Sequence, residues 1–223
     1  MYLSQLFLNP RSRQVRSELA NPYEMHRTVM RASAGHTRTE DRTLFRLEVH
    51  PRTGVPALLV QSRIEPQWAF LCAPEKNYLI PLAECPPGVN QNPAVKTFEL
   101  SVRPGQTLAF RLKANPTVKK DREGKKQGRR VGLVREEDQL QWLERKLEAN
   151  GARLLSALTS DEQKLNGKLQ HEDERHDLTF MAVQFDGLLR VEMPYKLKEA
   201  VQNGIGSGKG LGFGLLSLAP VPA

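Results

Sequence analysis

Cysteine, aromatic residues and long apolar runs are all scarce in this chain. Its two cysteines, Cys72 and Cys85, lie far apart among 223 residues and form no CxxC pattern, which predicts a reduced cytoplasmic protein. No run of about 18 apolar residues occurs, so no transmembrane helix is predicted. The apolar start, Met1 to Pro10, is followed rather than preceded by arginines, unlike a signal peptide. Aromatic residues make up only 6% of the sequence, so few side chains exist on which nucleic-acid bases could stack against a sheet.

Positive charge, by contrast, is abundant and concentrated in one segment. The net charge is +8, and ten basic residues between Arg111 and Arg135 face only two acidic ones there, so the remaining chain is neutral in sum. Such a concentration favours a surface that binds a polyanion, although a merely solvated basic loop is the alternative. The residues predicted to bind are Arg111, Lys113, Lys125, Lys126, Arg129 and Arg130.

A helix is predicted to begin at Asn21-Pro22 and to continue to about residue 33, with Pro22, Met25, Val29 and Ala32 on one face. Asn21 is a good N-cap, and Pro22 suits the first helical position because no N–H is needed there. Helical spacing then places His26 beside Tyr23 and Arg27 near the positive end of the helix. This combination suits proton transfer near a phosphate, whereas half-buried packing of the tyrosine and histidine is the alternative.

Six glycines and Lys209 occupy the segment from Gly204 to Gly214. The segment is neither a Walker loop nor a Rossmann fingerprint, because it follows a predicted helix and residue 210 is glycine. Its backbone can approach a phosphate closely, with contacts predicted at Gly206, Gly208, Lys209 and Gly210. The alternative is a tight turn in which a helix packs against a strand. Tight binding of ATP would favour a third interpretation, a nucleotide-binding enzyme.

The order strand–helix–strand–strand–helix–strand can be traced twice along the chain. Its predicted strands include 44–49, with Phe45, Leu47 and Val49 on one face, then 96–103, and a strand after Pro104-Gly105 with Leu108, Phe110 and Leu112 on one face. A helix is predicted over 136–150, with three acidic residues in its first turn and a buried stripe of Leu140, Leu143 and Leu147. The repeated order predicts an α+β protein of two tandem ferredoxin-like (βαββαβ) domains, residues 1–104 and 105–223, divided near Pro104-Gly105.

Three connections are predicted with this order: a loop holding Arg11, Arg13 and Arg16, a polar loop ending in His171–His176, and a hairpin turn at Asp186-Gly187. The two histidines of the polar loop are five residues apart, so no metal site is predicted there.

Three stretches together resemble the CasE family, the CRISPR repeat-processing endoribonucleases of the type I-E Cascade complex. They are Leu8–Arg11 with Leu19–Thr28, Arg111–Thr117 with Gln141–Leu143, and Gly204–Pro220, which resembles the glycine-rich motif of the RAMP superfamily. The resemblance implies two ferredoxin-like domains and metal-independent cleavage at the 3′ base of a CRISPR repeat stem. It also implies that the product stays bound within Cascade, and no cofactor or membrane partner is predicted.

In this family the residues matching His26 and Tyr23 serve catalysis. The chemistry of metal-free RNA cleavage agrees, because attack of a 2′-OH on the adjacent phosphate needs a base, an acid and positive charge. An imidazole suits either proton transfer, while Arg27 or Arg31 can neutralise the phosphate. Some relatives have a lysine where this chain has Arg31, which cannot plausibly give up a proton. The competing hypothesis is a non-catalytic RAMP-type subunit that binds crRNA and uses His26 only for packing.

Overall fold

The computed structural model describes residues 1–33, 42–120, 129–171 and 174–221. Within these ranges, only the backbone is described for residues 120, 129, 161–171 and 174–179. The chain divides into two compact units. The first comprises Met1–Glu99 together with Gly210–Gly212, and the second comprises Leu100–Lys209 together with Phe213–Ala223. This division lies close to the predicted boundary, but three residues of the glycine-rich segment belong to the first unit.

The first unit is built on a four-stranded antiparallel sheet in the order β2-β3-β1-β4. Two helices, α1 and α2, separate β1 from β2, and they supply Val15, Met25 and Val29 to the core. This is the strand order of a ferredoxin-like domain. The elements are β1 (Tyr2–Phe7), α1 (Arg13–Ala20), α2 (Pro22–Arg31), β2 (Leu44–Val49), β3 (Pro56–Ser62) and β4 (Ala94–Thr97).

Two predictions for this unit are wrong in detail. Of the residues predicted as an arginine loop, Arg13 and Arg16 lie in helix α1, in which Val15 is fully buried while both arginines stay exposed, and only Arg11 precedes the helix. The strand expected over 96–103 is the shorter β4, Ala94–Thr97. Between β3 and β4, where a second helix would complete the pattern, the proline-rich chain makes only short 3₁₀ turns, because proline interrupts helical hydrogen bonding.

The second unit repeats the strand order of the first, here β10-β5-β9-β8, and it has a helix between its last two strands. In β5, Leu108, Phe110 and Leu112 are buried and alternate with more exposed residues, as predicted. Helix α3 matches its prediction closely, with Leu143 and Leu147 buried and three acidic residues in its first turn. The elements are β5 (Thr107–Ala114), β6 (Thr117–Lys120), β7 (Arg129–Gly132), α3 (Glu136–Ala149), β8 (Ala152–His171), β9 (Glu174–Val191), α4 (Pro194–Asn203) and β10 (Leu216–Pro220).

Strand structure in this unit extends further than the sequence predicted. The ends of the basic segment form a two-stranded antiparallel ribbon, β6 with β7. The polar stretch assigned to a loop ending in His171–His176 instead forms much of β8 and the start of β9, with residues 172 and 173 outside the described ranges. The side chains of His171 and His176 also lie outside the described part of the chain. Pairing with a neighbouring strand therefore overrode local polarity.

The predicted hairpin turn at Asp186-Gly187 is also wrong. Both residues lie inside β9, opposite Arg111 and Phe110 of β5. A shift in register between Leu154 and Ser156 of the other neighbour, β8, brings the backbone close to Gly187. A Cβ at position 187 would stand 2.1 Å from the Ser156 carbonyl oxygen, so glycine is required here by close approach and not by a turn.

We expect Gly187→Ala to lower the free energy of unfolding by about 1–3 kcal/mol, because the added methyl group forces strands apart. Urea denaturation would measure it. Gly132→Ala is the matched control, since its Cβ would meet only the Met181 side chain, at 3.3 Å. Equal losses in the two variants would contradict a specific clash at the bulge.

Candidate functional site

Helix α2 is fixed at its start and along one face. The Asn21 side chain accepts a hydrogen bond from the Tyr23 backbone N–H at 3.2 Å, and Pro22 occupies the first turn, as the sequence predicted. Met25 and Val29 are 2% and 0% exposed, so the predicted apolar face is buried. His26 lies between these anchors but faces another way. Its position therefore follows from a helix that has little freedom to rotate.

His26 is half-buried, with its imidazole close to two other groups of the first unit. The ring stacks on Phe45 of β2, with centroids 6.3 Å apart and planes 18° from parallel. A Cβ at Gly210 would lie 3.5 Å from both Cε1 and Nε2 of the imidazole. The histidine is thus accessible and also held in position. A side chain that transfers a proton to or from a substrate needs both properties.

Gly210 and Gly212 join this arrangement because neither has a side chain at the point where the chain passes His26 and Phe45. A Cβ at Gly212 would come within 3.1 Å of the Phe45 ring, and φ there is +84°. Sequence reasoning linked Gly210 with phosphate but did not find Phe45. The alternation over 44–49 predicted that Phe45 shares a face with Leu47 and Val49, but no sequence signal tells which side chain a histidine contacts.

The other residues of the predicted catalytic group divide between environments. Tyr23 is half-buried, one turn before His26. Arg27 is exposed and forms an ion pair with Glu24, Nη1 to Oε2 at 3.3 Å. Arg31 is exposed, with its guanidinium carbon 4.4 Å from the centroid of the Phe70 ring. Arg27 and Arg31 both line a cleft of about 630 Å³ between α1 and α2, whereas His26 is not among the residues that line it.

A buried carboxylate forms the floor of this cleft. Glu18 of α1 is only 4% exposed, and its oxygens accept hydrogen bonds from Thr28 of α2 at 2.7 Å and from Gln14 at 2.8 Å. The Tyr78 hydroxyl donates to the other oxygen. Burial and the neighbouring Glu18 charge both raise the pKa of Tyr78 above its ordinary range, so Tyr78 remains a donor. These bonds tie α1 to α2.

The second unit contains a groove lined by basic side chains. Its volume is about 540 Å³, and no carboxylate is among the described residues that line it. We call it the basic groove. Its cations come from the β6–β7 ribbon and from the last half of α3, and they are Lys119, Arg130, Arg145 and Lys146. Of these only Arg130 was predicted to bind, because Arg145 and Lys146 lie in a helix with five acidic residues and only two basic ones.

The glycines at one end of the groove have structural reasons for their identity. A Cβ at Gly206 would lie 3.2 Å from the Trp142 ring, and one at Gly208 would lie 2.8 Å from Phe213. Both have positive φ, +85° and +74°. Tight packing therefore accounts for these two glycines, while Gly206 and Ser207 also border the basic groove. Lys209 begins a short 3₁₀ turn, Lys209–Leu211.

The remaining predicted binding residues lie elsewhere or outside the described ranges. The Arg111 Nε donates to Asp186 Oδ1 at 2.6 Å across β5 and β9, so an acidic group already engages this guanidinium. Lys113 is half-buried on the same strand. Lys125 and Lys126 lie outside the described residues, as does the side chain of Arg129.

The described residues contain neither a metal-binding cluster nor a membrane-spanning helix. Within the described ranges, no group of three or more His, Cys, Asp or Glu side chains is placed to hold a metal ion. None of the helices in those ranges has the length and apolar character that crossing a bilayer requires.

Comparison with known proteins identifies the family. The model of a family described as CRISPR associated protein matches residues 1–220. The CRISPR-associated endoribonuclease Cse3 of Thermus thermophilus is 38% identical over 229 residues, covering 99% of this chain and 100% of Cse3. The Cascade subunit CasE of Escherichia coli is 35% identical over 134 residues, covering 56% of this chain and 64% of CasE.

A solved structure of Thermus thermophilus Cse3, bound to an RNA representing a pre-cleavage complex, has the same fold. It superposes with a TM-score of 0.76 at 35% identity, and the match covers 98% of each chain. The two sheets and their strand orders define a tandem ferredoxin-like protein of the α+β class. This chain belongs to the CRISPR-associated protein family that the family model describes.

Proposed function

We propose that this chain is the endoribonuclease that cuts CRISPR repeat RNA at the 3′ base of its stem and then keeps the product. The observation that carries the proposal is the half-buried His26, stacked on Phe45 beside Gly210 on a capped helix. The names of its relatives support the same conclusion, since one is an endoribonuclease and another a Cascade subunit. Assembly of this chain into a Cascade complex is part of the proposal.

The reaction needs no nucleophile from the protein. The ribose 2′-OH attacks the adjacent phosphorus, and the bond to the 5′ oxygen of the next nucleotide breaks. The products are a 2′,3′-cyclic phosphate and a free 5′-OH. One group must accept the 2′ proton and another must protonate the leaving oxygen, while positive charge stabilises the phosphorane.

The residues of α2 supply these functions. His26 performs one of the proton transfers, because an imidazole has its ordinary pKa of about 6.5 close to neutral pH. Tyr23 hydrogen-bonds the 2′-OH or orients the imidazole. Arg27 and Arg31 remain charged at every physiological pH and stabilise anionic phosphate oxygens without donating a proton.

Binding of the stem is assigned to the second unit, which corresponds to the proposed domain 105–223, while the proposed domain 1–104 carries the catalytic helix. An A-form stem presents two phosphate backbones, which basic side chains can follow by shape. The basic groove provides four cations without an opposing carboxylate among its described residues. The other predicted binding residues of this domain are assigned to the stem as well, and they are Lys113, Lys125, Lys126, Arg129, Gly206, Gly208 and Lys209.

Cleavage is expected to continue in excess EDTA, because the 2′-OH and protein side chains suffice for the reaction. A repeat RNA with a 2′-deoxy sugar at the scissile position should bind normally but remain intact. Gel analysis of end-labelled RNA measures both. Loss of cutting in EDTA would contradict metal independence, and normal cutting of the deoxy RNA would contradict the nucleophile. Intact, tightly bound RNA in every condition would indicate a non-catalytic crRNA-binding subunit.

His26→Ala is expected to lower the single-turnover cleavage rate by roughly two to four orders of magnitude, as lost acid–base catalysis predicts. Affinity for the RNA should change little. His50→Ala is the matched control, because His50 is also half-buried in the first unit and its Nδ1 contacts the hydroxyl and the backbone N–H of the nearby Thr53. Similar rates for His26→Ala and the unaltered protein would exclude catalysis by this imidazole.

Removing two cations of the basic groove, in the variant Arg130→Ala/Arg145→Ala, should weaken RNA binding with little effect on the cleavage rate of saturated enzyme. The slope of log Kd against log salt should fall by about one for each lost phosphate contact. Arg153→Ala is the control, since Arg153 is exposed in the same unit but does not line the groove. An unchanged slope in the double variant would remove the groove from the binding surface.

A further inference from the structure

The cleft between α1 and α2 contains three arginines that come from both of its walls. Arg13 lies at the start of α1, while Arg27 and Arg31 lie on α2. All three are exposed. We call this site the arginine cleft. Guanidinium groups that converge from two helices match the oxygens of phosphate esters, to which each can donate two parallel hydrogen bonds.

Two carboxylates border the same cleft, and neither cancels its attraction for an anion. Glu24 pairs with Arg27 near the surface, with 66% of the arginine and 40% of the glutamate side chain exposed, so a phosphate can compete for that guanidinium. Glu18 is buried, and its oxygens accept bonds from Thr28, Gln14 and Tyr78. The accessible rim of the cleft is therefore cationic.

The cleft and His26 share helix α2. Arg27 follows His26 directly, and Arg31 follows it by five residues, which is about 7.5 Å along a helix axis. A phosphodiester chain whose scissile phosphate lies at His26 thus brings a neighbouring phosphate within reach of the adjacent helix face. Arg31 is held above the Phe70 ring, which limits the directions its guanidinium can take.

The volume of the cleft favours single-stranded over double-stranded RNA. A space of about 630 Å³ is typical of sites for small ligands and accommodates a few nucleotide groups, but not a double helix. In a repeat cut at the 3′ base of its stem, the nucleotide on the 5′ side of the scissile phosphate belongs to the duplex. The RNA on the 3′ side is single-stranded and becomes the leaving strand with the free 5′-OH.

We propose that the arginine cleft binds the single-stranded RNA directly 3′ of the scissile phosphate, with Arg13 as a binding residue. This inference rests on the proposed repeat cleavage. In this arrangement Arg27 and Arg31 contact the leaving strand, and helix α1 becomes part of the substrate-binding surface. Arg13 provides the sharpest test because it lies on a different helix from His26.

The test compares two repeat RNAs by fluorescence anisotropy, each with a 2′-deoxy sugar at the scissile position so that neither is cut. One ends at the scissile phosphate, and the other continues into a short single-stranded 3′ extension. Arg13→Ala should weaken binding of the extended RNA about three- to tenfold and leave the stem-only RNA unchanged. The salt slope for the extended RNA should fall by about 0.7, as expected for one lost contact to a single strand.

Arg16→Ala is the matched control. Arg16 is exposed on the same helix, its Nη1 donates to the Arg11 carbonyl at 3.0 Å, and it does not line the cleft. Equal effects of Arg13→Ala and Arg16→Ala, or equal weakening of both RNAs by Arg13→Ala, would overturn the inference. A third probe is extended only on the 5′ side of the stem, and weakening by Arg13→Ala that is confined to this probe would overturn the stated polarity. Failure of the unaltered protein to bind or cut any repeat RNA would instead overturn the proposed function.

Discussion

The buried carboxylate of Glu18 is the constraint on which the first unit depends. A carboxylate with 4% exposure is costly to bury unless its oxygens accept hydrogen bonds, and here the donors come from α1, α2 and the Tyr78 segment. Satisfying this group therefore fixes two helices and a third segment at once. Because Thr28 lies two residues after His26, the same bonds restrict the helix that presents the imidazole.

The glycines of the glycine-rich segment have more than one structural role. Gly206 and Gly208 approach Trp142 and Phe213 too closely for larger residues, which is a packing reason. Gly210 approaches the His26 ring, which places a bare backbone beside the proposed catalytic group. Since residues 210–212 belong to the first unit and their chain neighbours to the second, the conformational freedom of glycine also permits this change of unit.

Sequence patterns predicted well wherever one local interaction dominated. The Asn21 cap, the apolar face of α2 and the alternation in β5 depend on neighbours a few residues away, and all are confirmed. Predictions failed where distant strands competed with local signals. Asp186-Gly187 has the composition of a hairpin turn, but Arg111 and the bulge in β8 hold it inside a strand. The local preference of these two residues for a turn stabilises the chain less than hydrogen bonding to strands on both sides.

The sequence by itself determined the α+β class, the repeated strand order, the position of His26 near a helix start and the location of the basic charge. These properties follow from periodicity, capping and composition, which are readable along the chain. Only the tertiary structure decided that Phe45 and Gly210 flank the imidazole and that Arg145 lines a groove with Arg130. The physical reason is that such contacts depend on how sheets and helices pack. Periodicity and capping, which are local patterns, do not reveal contacts between side chains far apart in sequence.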